Sequence, residues 1–229
     1  LLDSYKVTII YSIVATVLGV VVMAMLAYPL SRPNYKYKKI ATFFIFFTML
    51  FSGGLVPTYI WITRYLHLGD TIWVYILPCL VNAFHVIVIR SFFQGLPQAL
   101  MESAKIDGAS ELQTFFKIVM PLSKPVIATI SLLTLLSRWN DWNTALIYIK
   151  SSNLYSLQYL LQKILREAEF VKNMAESSPV AGVDLDLSNL PSVTIRFAMC
   201  MVAAGPMLII FPFFQKYFAK GLTVGAVKG

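Results

Sequence analysis

The chain has 229 residues, of which 58% are hydrophobic and only 13% are charged, whereas a soluble domain carries about 25% charged residues. With a mean hydropathy of +0.70, this composition excludes an ordinary soluble domain and indicates a membrane protein. The net charge of +8 does not indicate a nucleic-acid partner, because the basic residues lie beside the apolar segments, as the positive-inside bias predicts.

Five apolar segments follow one another along the chain. A helix of about 20 apolar residues crosses a hydrocarbon core of about 30 Å, and a backbone in lipid satisfies its own hydrogen bonds best as a helix. We therefore expect an all-α, polytopic membrane bundle in which residues 1–229 form a single domain. The predicted spans are residues 7–30, 40–63, 71–89, 125–137 and 193–214.

Kinks are expected where proline or glycine interrupts or ends an apolar segment. Gly53 and Gly54 lie inside the second span, and the prolines are Pro29, Pro57, Pro78 and Pro206. Glycine and proline are common sites of helix kinks. A hinge or pathway-lining role for these residues is the alternative.

Charge predicts the orientation of the bundle. Residues 31–39 and the tail, residues 215–229, carry only basic charges, so both are expected in the cytoplasm. Alternation of the spans places residues 90–124 on the same side and residues 150–192 outside. Tryptophan prefers the membrane interface, and four tryptophans fall at predicted outer ends: Trp61, Trp73, Trp139 and Trp142.

This topology places Leu1 outside the membrane, because five spans precede a cytoplasmic carboxyl terminus. The chain also opens without methionine. We therefore expect one further span before Leu1, which gives six spans in the full subunit.

The external segment contains a helical pattern. Leucine and isoleucine recur at helical spacing, so residues 155–172 are predicted to form an amphipathic helix, followed by an irregular loop. The helix could pack on the bundle, lie on the membrane surface or contact a solute-binding protein.

The cytoplasmic loop is predicted to fold as two short helices joined by a glycine. Residues 98–107 are good helix formers, and Gly108 suits a left-handed position at a helix end. Ser110 and Gln113 have the spacing of a capping box. That box starts a second helix, which must end or bend near Pro121.

The second helix carries four apolar residues at helical spacing, Leu112, Phe115, Phe116 and Val119, which form one predicted stripe. From periodicity alone, the simplest interpretation is a loop that folds this stripe onto its own bundle.

The order of residues in this loop resembles the EAA loop of permease subunits in binding-protein-dependent ABC importers. Ser103 replaces the second alanine of that pattern, and Met120 replaces the leucine before proline, which are small or volume-conserving changes. The residues that carry the resemblance are Glu102, Ala104, Gly108, Ile118 and Pro121.

Other stretches resemble the carbohydrate-uptake branch of the same family. They are residues 91–97, residues 121–125 and the ending, residues 220–229. The ending is similar to that of the smaller permease in maltose-type importers, which points to the oligosaccharide-importing subgroup.

The resemblance implies a permease that forms half of the translocation pathway of an ATP-driven carbohydrate importer in the bacterial cytoplasmic (inner) membrane. An oligosaccharide is the expected substrate, with acidic or plant-derived sugars as the candidates. The implied partners are a second, homologous permease, a dimer of ATPase subunits that bind ATP and Mg, an extracytoplasmic solute-binding protein and membrane lipid.

The resemblance also implies which residues contact the ATPase. Residues 90–124 would be the coupling loop, and the cytoplasmic tail would reach the ATPase dimer. The coupling candidates are Glu102, Ser103, Ala104, Asp107, Gly108, Ala109, Leu112, Phe115, Phe116, Ile118 and Pro121. The tail candidates are Thr223, Gly225 and Lys228.

The chain carries no sequence motif for chemistry of its own. It lacks the phosphate-binding GxxxxGK[ST] pattern, and Cys79 and Cys200 are isolated in separate apolar segments. We therefore expect a non-catalytic subunit that itself binds no cofactor and no metal.

Two groups of polar residues are candidates for a substrate pathway. The first group lies in the third span, where a polar contact between helices is the alternative. The second combines aromatic and hydrogen-bonding groups, as sugar sites do; an interfacial cluster in which Arg138 pairs with Asp141 is its alternative. The candidates are Asn82, His85, Asn140, Asp141 and Trp142.

The competing functions are a secondary transporter or channel that works without ATPases, and a membrane-embedded enzyme. A secondary transporter is expected to carry buried coupling charges or inverted repeats, and the first three predicted spans contain no Asp, Glu, Lys or Arg. The sequence shows no catalytic constellation for the enzyme.

Overall fold

Residues 1–177 and 198–212, which the computed structural model describes, form helices and no strand. The all-α prediction is therefore confirmed for this part of the chain. In chain order the helices are α1 (Leu2–Ser31), α2 (Lys38–Leu50), α3 (Leu55–Ile60), α4 (Trp73–Ile76), α5 (Ala83–Gln94), α6 (Gln98–Ile106), α7 (Glu111–Thr114), α8 (Met120–Leu122), α9 (Lys124–Trp139), α10 (Asn143–Tyr148), α11 (Leu157–Ser177) and α12 (Ala198–Pro212). Two π turns (Trp61–Tyr65 and Phe115–Val119) follow α3 and α7, and two 3₁₀ turns (Leu77–Cys79 and Ser152–Leu154) follow α4 and α10.

Helix α1 is the central helix of the described bundle. Its 30 residues extend for about 45 Å at a rise of about 1.5 Å per residue, and it packs along both α5 and α9. Ala15, Gly19, Ala24 and Ala27 are buried on it. Small side chains of this kind let neighbouring membrane helices approach closely.

The second predicted span is not one straight helix. Helices α2 and α3 meet at an angle of 111°, and Gly54 between them has a φ of +86°, a conformation that favours glycine. Neither helix contains a fully buried residue, and α2 packs on the bundle only through partly buried residues such as Ala41 and Ile45. The predicted kink in this span is therefore confirmed.

The third predicted span is also broken, between α4 and α5, with a bend of 49°. Pro78 offers no N–H to continue the first part, and the Asn82 side chain caps α5 by accepting from the backbone N–H of His85 at 3.1 Å. A Cβ on Gly19 would lie 3.1 Å from the carbonyl oxygen of Leu80. Glycine on α1 therefore makes room for the break.

The number of spans stays a prediction. By length and composition, the described residues contain one helix that can cross a membrane alone, α1, and up to four spans if each bent pair counts as one. The apolar helix α12 falls within the fifth predicted span but is shorter. The rest of that segment, including Arg196, lies outside the described residues.

Two apolar clusters lie on opposite halves of α1. The cluster at its amino-terminal half includes Tyr11 and Ala15, packed with residues of α4 and α10. The cluster at its carboxyl-terminal half joins α1 to α5, to the π turn after α7 and to α9. Its members include Val20, Met23, Ala27, Val86, Ile89, Phe93, Phe115, Val119, Val126 and Ile130. The predicted coupling loop thus shares a core with three long helices.

The predicted amphipathic helix is confirmed as α11. Its Leu157 and Leu161 are buried and cluster with Trp139 at the end of α9. Of the three placements that the sequence left open, packing on the bundle is the one observed for these residues.

Trp139 does not fit the prediction of an interfacial tryptophan. Its side chain is only 2% exposed, and its indole N–H donates to the carbonyl oxygen of Ala203 on α12 at 2.8 Å. The indole N–H is therefore hydrogen-bonded to the protein and not to water at the membrane interface. Trp61 and Trp73, in contrast, are 56% and 50% exposed.

Asp70 joins two loops on the predicted external side. Its carboxylate accepts hydrogen bonds from the Ser151 hydroxyl (2.6 Å) and from the backbone N–H groups of Ser151 and Lys150 (both 2.9 Å), and its own N–H donates to the Tyr148 carbonyl at 2.9 Å. The Ser151 hydroxyl and these two N–H groups lower the pKa of Asp70, because they stabilise the charged carboxylate.

Candidate coupling site

The first half of the loop between α5 and α9 folds as the sequence predicts. Helix α6 ends at Ile106, and Gly108 then has a φ of +77°. A Cβ on Gly108 would meet nothing within 4 Å. The preference for glycine therefore comes from the backbone conformation alone, which costs other residues about 1 kcal/mol or more.

The predicted capping box is present at the start of α7. The Ser110 side chain accepts from the backbone N–H of Gln113 at 3.2 Å, and the Gln113 side chain accepts from the N–H of Ser110 at 2.9 Å. The segment that begins with α7 and ends with α8 meets α9 at 81°, so the bend near Pro121 is confirmed.

The apolar stripe of the second helix is not the single face that the sequence predicts. Phe115 and Val119 are buried in the core, whereas Leu112 is 62% and Phe116 is 52% exposed. Phe115 and Val119 lie on one edge of the stripe, and Leu112 and Phe116 lie on the other edge, so the boundary of the core runs along the stripe. One pair anchors the loop to the bundle, and the other pair faces outward.

A surface hollow of about 390 Å³ lies between α6 and the segment that follows α7. Leu100 on α6 and Lys117 on the π turn stand on its opposite walls. Five predicted coupling residues line this one concavity: Ser103, Ala104, Asp107, Ile118 and Pro121. The structure thus brings together residues from both halves of the sequence motif.

Glu102 lies outside the lining of that hollow. Its side chain is exposed on α6, and within residues 1–177 and 198–212 it makes no hydrogen bond or ion pair. Ala109, next to the glycine elbow, is partly buried. The carboxylate of Glu102 is therefore available to a donor from another molecule.

A cluster of three polar side chains ties α7 to the end of α1. The Tyr28 hydroxyl donates to the Glu111 carboxylate at 2.7 Å, and Arg32 donates to the Tyr28 hydroxyl. Arg32 also lies 3.7 Å from Glu111 and 4.4 Å above the Tyr28 ring. The Tyr28 ring in turn packs against Phe115, with centroids 5.2 Å apart. We call Tyr28, Arg32 and Glu111 the latch.

A second contact ties α1 to α5 beside the latch. The Arg90 side chain donates through Nε to the carbonyl oxygen of Leu30 at 3.1 Å, which satisfies a carbonyl that the end of a helix leaves open. The end of α1 is therefore tied both to α5, which precedes the loop, and to α7 within the loop.

The substrate-pathway candidates form two separate groups among the described residues. Asn82 caps α5, and the His85 ring nitrogen Nδ1 lies 3.5 Å from the Thr134 hydroxyl on α9, which supports the contact between helices. Asp141 lies 3.5 Å from Arg138, as predicted, and accepts from the Thr144 hydroxyl at 2.7 Å.

The other two candidates lie in the same turn between α9 and α10. The Asn140 amide donates to the Leu136 carbonyl at 2.9 Å, and the Trp142 ring carries the Arg166 guanidinium 5.7 Å from its centroid. Tail candidates Thr223, Gly225 and Lys228 lie outside the described residues.

The latch is the part of the site that sequence reasoning missed. Arg32 appears in the sequence only as one of several basic residues, and Tyr28 only as part of an apolar segment. No local signal links residues that are 83 positions apart. The only hint in the sequence was Glu111, a charged residue at the first position of a capped helix.

Fold and loop together define a class: an all-helical, strongly apolar protein in whose described residues a pair of short helices, α6 and α7, docks on a bundle built around α1. Comparison with known families agrees with this class. Residues 9–224 match the family described as binding-protein-dependent transport system inner membrane component. The chain belongs to this family.

Individual relatives agree with that assignment. The chain is 39% identical over 232 residues to the polygalacturonan/rhamnogalacturonan transport system permease protein YtcP of Bacillus subtilis, covering 99% of this chain and 77% of the relative. It is 33% identical to the arabinooligosaccharides transport system permease protein AraQ of the same organism, covering 97% and 72%.

A solved structure is similar as well. A chain in the crystal structure of a bacterial ABC transporter involved in the import of the acidic polysaccharide alginate matches with a TM-score of 0.77 and 29% identity. The match covers 94% of this chain and 74% of that chain.

Proposed function

We propose that this chain is a permease subunit of an ATP-driven oligosaccharide importer and that it forms half of the translocation pathway. Family membership supports the class, and the relatives named above carry carbohydrate transport in their names. Two of the similar proteins are named for acidic polymers, which supports an acidic oligosaccharide here. Family membership does not favour a transporter that works without ATPases.

One observation carries the coupling mechanism: two short helices meet at a glycine elbow and enclose the hollow beside the exposed Glu102. An ATPase subunit would seat against this surface, with Leu112 and Phe116 as outward apolar contacts. Phe115 would play a different part, because it is buried and would pass the motion of the loop into the bundle.

The latch supports a route for that motion. Because α7 is tied to the end of α1, and α1 packs along α5 and α9, a displacement of the loop would move the central helix rather than the loop alone. Closure of an ATPase dimer would move two such subunits together. The substrate cavity between the two permeases would then change from inward-facing to outward-facing.

The proposed assembly contains a second homologous permease, an ATPase dimer that holds ATP and Mg, an extracytoplasmic solute-binding protein and lipid. The loop and the carboxyl terminus would face the cytoplasm of a bacterial cell. The full subunit would have six spans.

The test is co-purification of the ATPase with the full permease pair, using Glu102→Ala and Gly108→Ala. We expect each variant to weaken ATPase association by about fivefold or more, since a hydrogen bond to a charged group or a strained backbone contributes about 1–3 kcal/mol. ATP-driven uptake should fall with it. Gly95→Ala is the matched control, because Gly95 has a φ of −79°, which alanine adopts freely. Full association and uptake in both variants would refute the assignment.

A further inference from the structure

A small groove of about 120 Å³ lies between α10 and α11, on the side predicted to be external. Two aromatic rings, Trp142 and Tyr159, form part of its lining. Four polar side chains of α11 also line it, Gln162, Lys163, Arg166 and Glu167, and those three or four residues apart are neighbours on the helix surface. None of these residues takes part in the coupling site.

Both cations of the groove are held in place by aromatic rings. The Arg166 guanidinium lies 5.7 Å from the centroid of the Trp142 ring, and the Lys163 ammonium lies 5.3 Å from that of Tyr155. Such contacts fix the cation over the ring face while its N–H groups stay available. The groove is therefore arranged before any ligand arrives.

The charge of the groove is not balanced from within. Lys163 lies 4.0 Å from Glu167, whereas Arg166 is exposed and makes no ion pair in the part of the chain that the structure describes. Two cations and one carboxylate leave a net charge of +1. An anionic group would complete the site, and a guanidinium recognises a carboxylate through paired N–H donors.

The remaining groups of the lining suit a polyhydroxylated ligand. Gln162 and Glu167 offer oxygen acceptors to hydroxyl groups, and the aromatic rings offer flat apolar surface to the C–H face of a sugar ring. A phosphate or a simple carboxylate would use the cations but neither of these features. A sugar acid uses all of them.

We propose that this groove is a binding site for the carboxylate-bearing sugar residue of an acidic oligosaccharide, at the external face of the transporter. Arg166 and Lys163 would hold the carboxylate, Tyr159 would pack against the sugar ring, and Trp142 would keep Arg166 in position. The proposal rests on the proposed function, and it adds a site and a recognised group to it.

The test measures equilibrium binding of radiolabelled trigalacturonate to the complete transporter in lipid nanodiscs, without the solute-binding protein. Galactotriose is the neutral probe of matched size. We expect Arg166→Gln to weaken trigalacturonate binding by about tenfold, the effect of one lost charge-assisted pair, and Trp142→Ala to weaken it as well. Galactotriose should bind weakly to every form.

Lys150→Gln is the control, because Lys150 is an exposed external cation outside the groove. Equal binding in the wild type and Arg166→Gln, or equal losses in Arg166→Gln and Lys150→Gln, would overturn the proposal. It would also be overturned if Arg166→Gln lowered only the stimulation of ATP hydrolysis by the binding protein, since the groove would then be a protein contact. Loss of ATPase association in the Glu102→Ala experiment is a separate result and tests only the proposed function.

Discussion

Asp70 and Gly108 both have positive φ angles, +55° and +77°, for different physical reasons. Gly108 needs no partner, because glycine enters the left-handed region without a steric cost. Asp70 is held there while its side chain binds the segment at Lys150 and Ser151. The positive φ of Gly108 was predictable, because glycine at the end of a helix commonly adopts it. Nothing in the sequence near Asp70 indicates that its partners lie 80 residues away.

We predict that substitution of Asp70 loosens the external loops in a graded manner. Asp70→Asn keeps one acceptor oxygen and tolerates the left-handed conformation, whereas Asp70→Ala removes every side-chain bond. Amide hydrogen exchange at Lys150 and Ser151 should therefore be slowest in the wild type, faster in the asparagine variant and fastest in the alanine variant. Asp3→Asn, an exposed acid on α1, should leave both amides unchanged.

The same contact has a defined pH dependence. Because the pKa of Asp70 is lowered on folding, its stabilising effect is complete above the ordinary aspartate pKa of about 3.9 and is lost as the pH falls through the lowered value. Protection of the two amides, corrected for intrinsic exchange, should stay constant from about pH 5 to pH 8. A decline within that window would contradict the assignment.

At the scale of elements, the sequence predicted the cap at the start of α7 but not the π turn that follows this helix. Ser110 and Gln113 satisfy each other within four residues, so sequence spacing alone indicated the start of α7. The π turn at Phe115–Val119 is different, because it depends on how Phe115 and Val119 fit between α1, α5 and α9.

We predict a measurable coupling between Tyr28 and Glu111 across the latch. A double-mutant cycle with Tyr28→Phe and Glu111→Ala should give an interaction energy of about 1 kcal/mol in the free energy of unfolding. The magnitude is modest because the Glu111 side chain is 73% exposed, and exposed pairs contribute little. Reversible unfolding in detergent measures it.

The control for this cycle is Tyr35→Phe in place of Tyr28→Phe. Tyr28, Tyr35 and Glu111 line one cavity of about 440 Å³. Among the described contacts, however, Tyr35 makes no hydrogen bond to the Glu111 carboxylate. Its cycle should give an interaction energy near zero. If both cycles gave the same value, the latch would not be a specific contact.

At the scale of the whole molecule, α1 connects the two ends of the described bundle. Its amino-terminal half packs with α4 and α10, and its carboxyl-terminal half packs with the coupling loop. Between these two clusters, the break in the third predicted span lies against Gly19. Helix α1 therefore connects the loop between α5 and α9 with the end of the bundle that the charge pattern predicts to be external.

We predict that Trp139 is a main anchor of the external end. Trp139→Ala should cost about 3–5 kcal/mol, the usual range for removing a large buried aromatic residue, because its ring packs with Leu157 and Leu161 and its N–H bonds Ala203. Trp73 is half exposed, and Trp73→Ala is the comparison. It should lower the free energy of unfolding by less than about 1 kcal/mol. Thermal unfolding of the purified complex measures both, and equal losses would show that burial of Trp139 is not decisive.

The sequence by itself determined the membrane class, the helical content, the position of the glycine elbow, the capping box at Ser110 and the amphipathic helix α11. Each of these depends on composition or on residues within one or two turns of one another, so local physics is sufficient. It also indicated the kinks at Gly54 and Pro78, but not their angles.

Only the tertiary structure decided which residues meet across the chain. The latch, the Asp70 contacts, the burial of Trp139 and the hollow that gathers Ser103 with Pro121 all join residues from different elements. Their partners are set by helix packing around α1, where small side chains and broken spans fix the distances. Side-chain periodicity carries no information about those distances, and that is the physical reason why the sequence could not supply them.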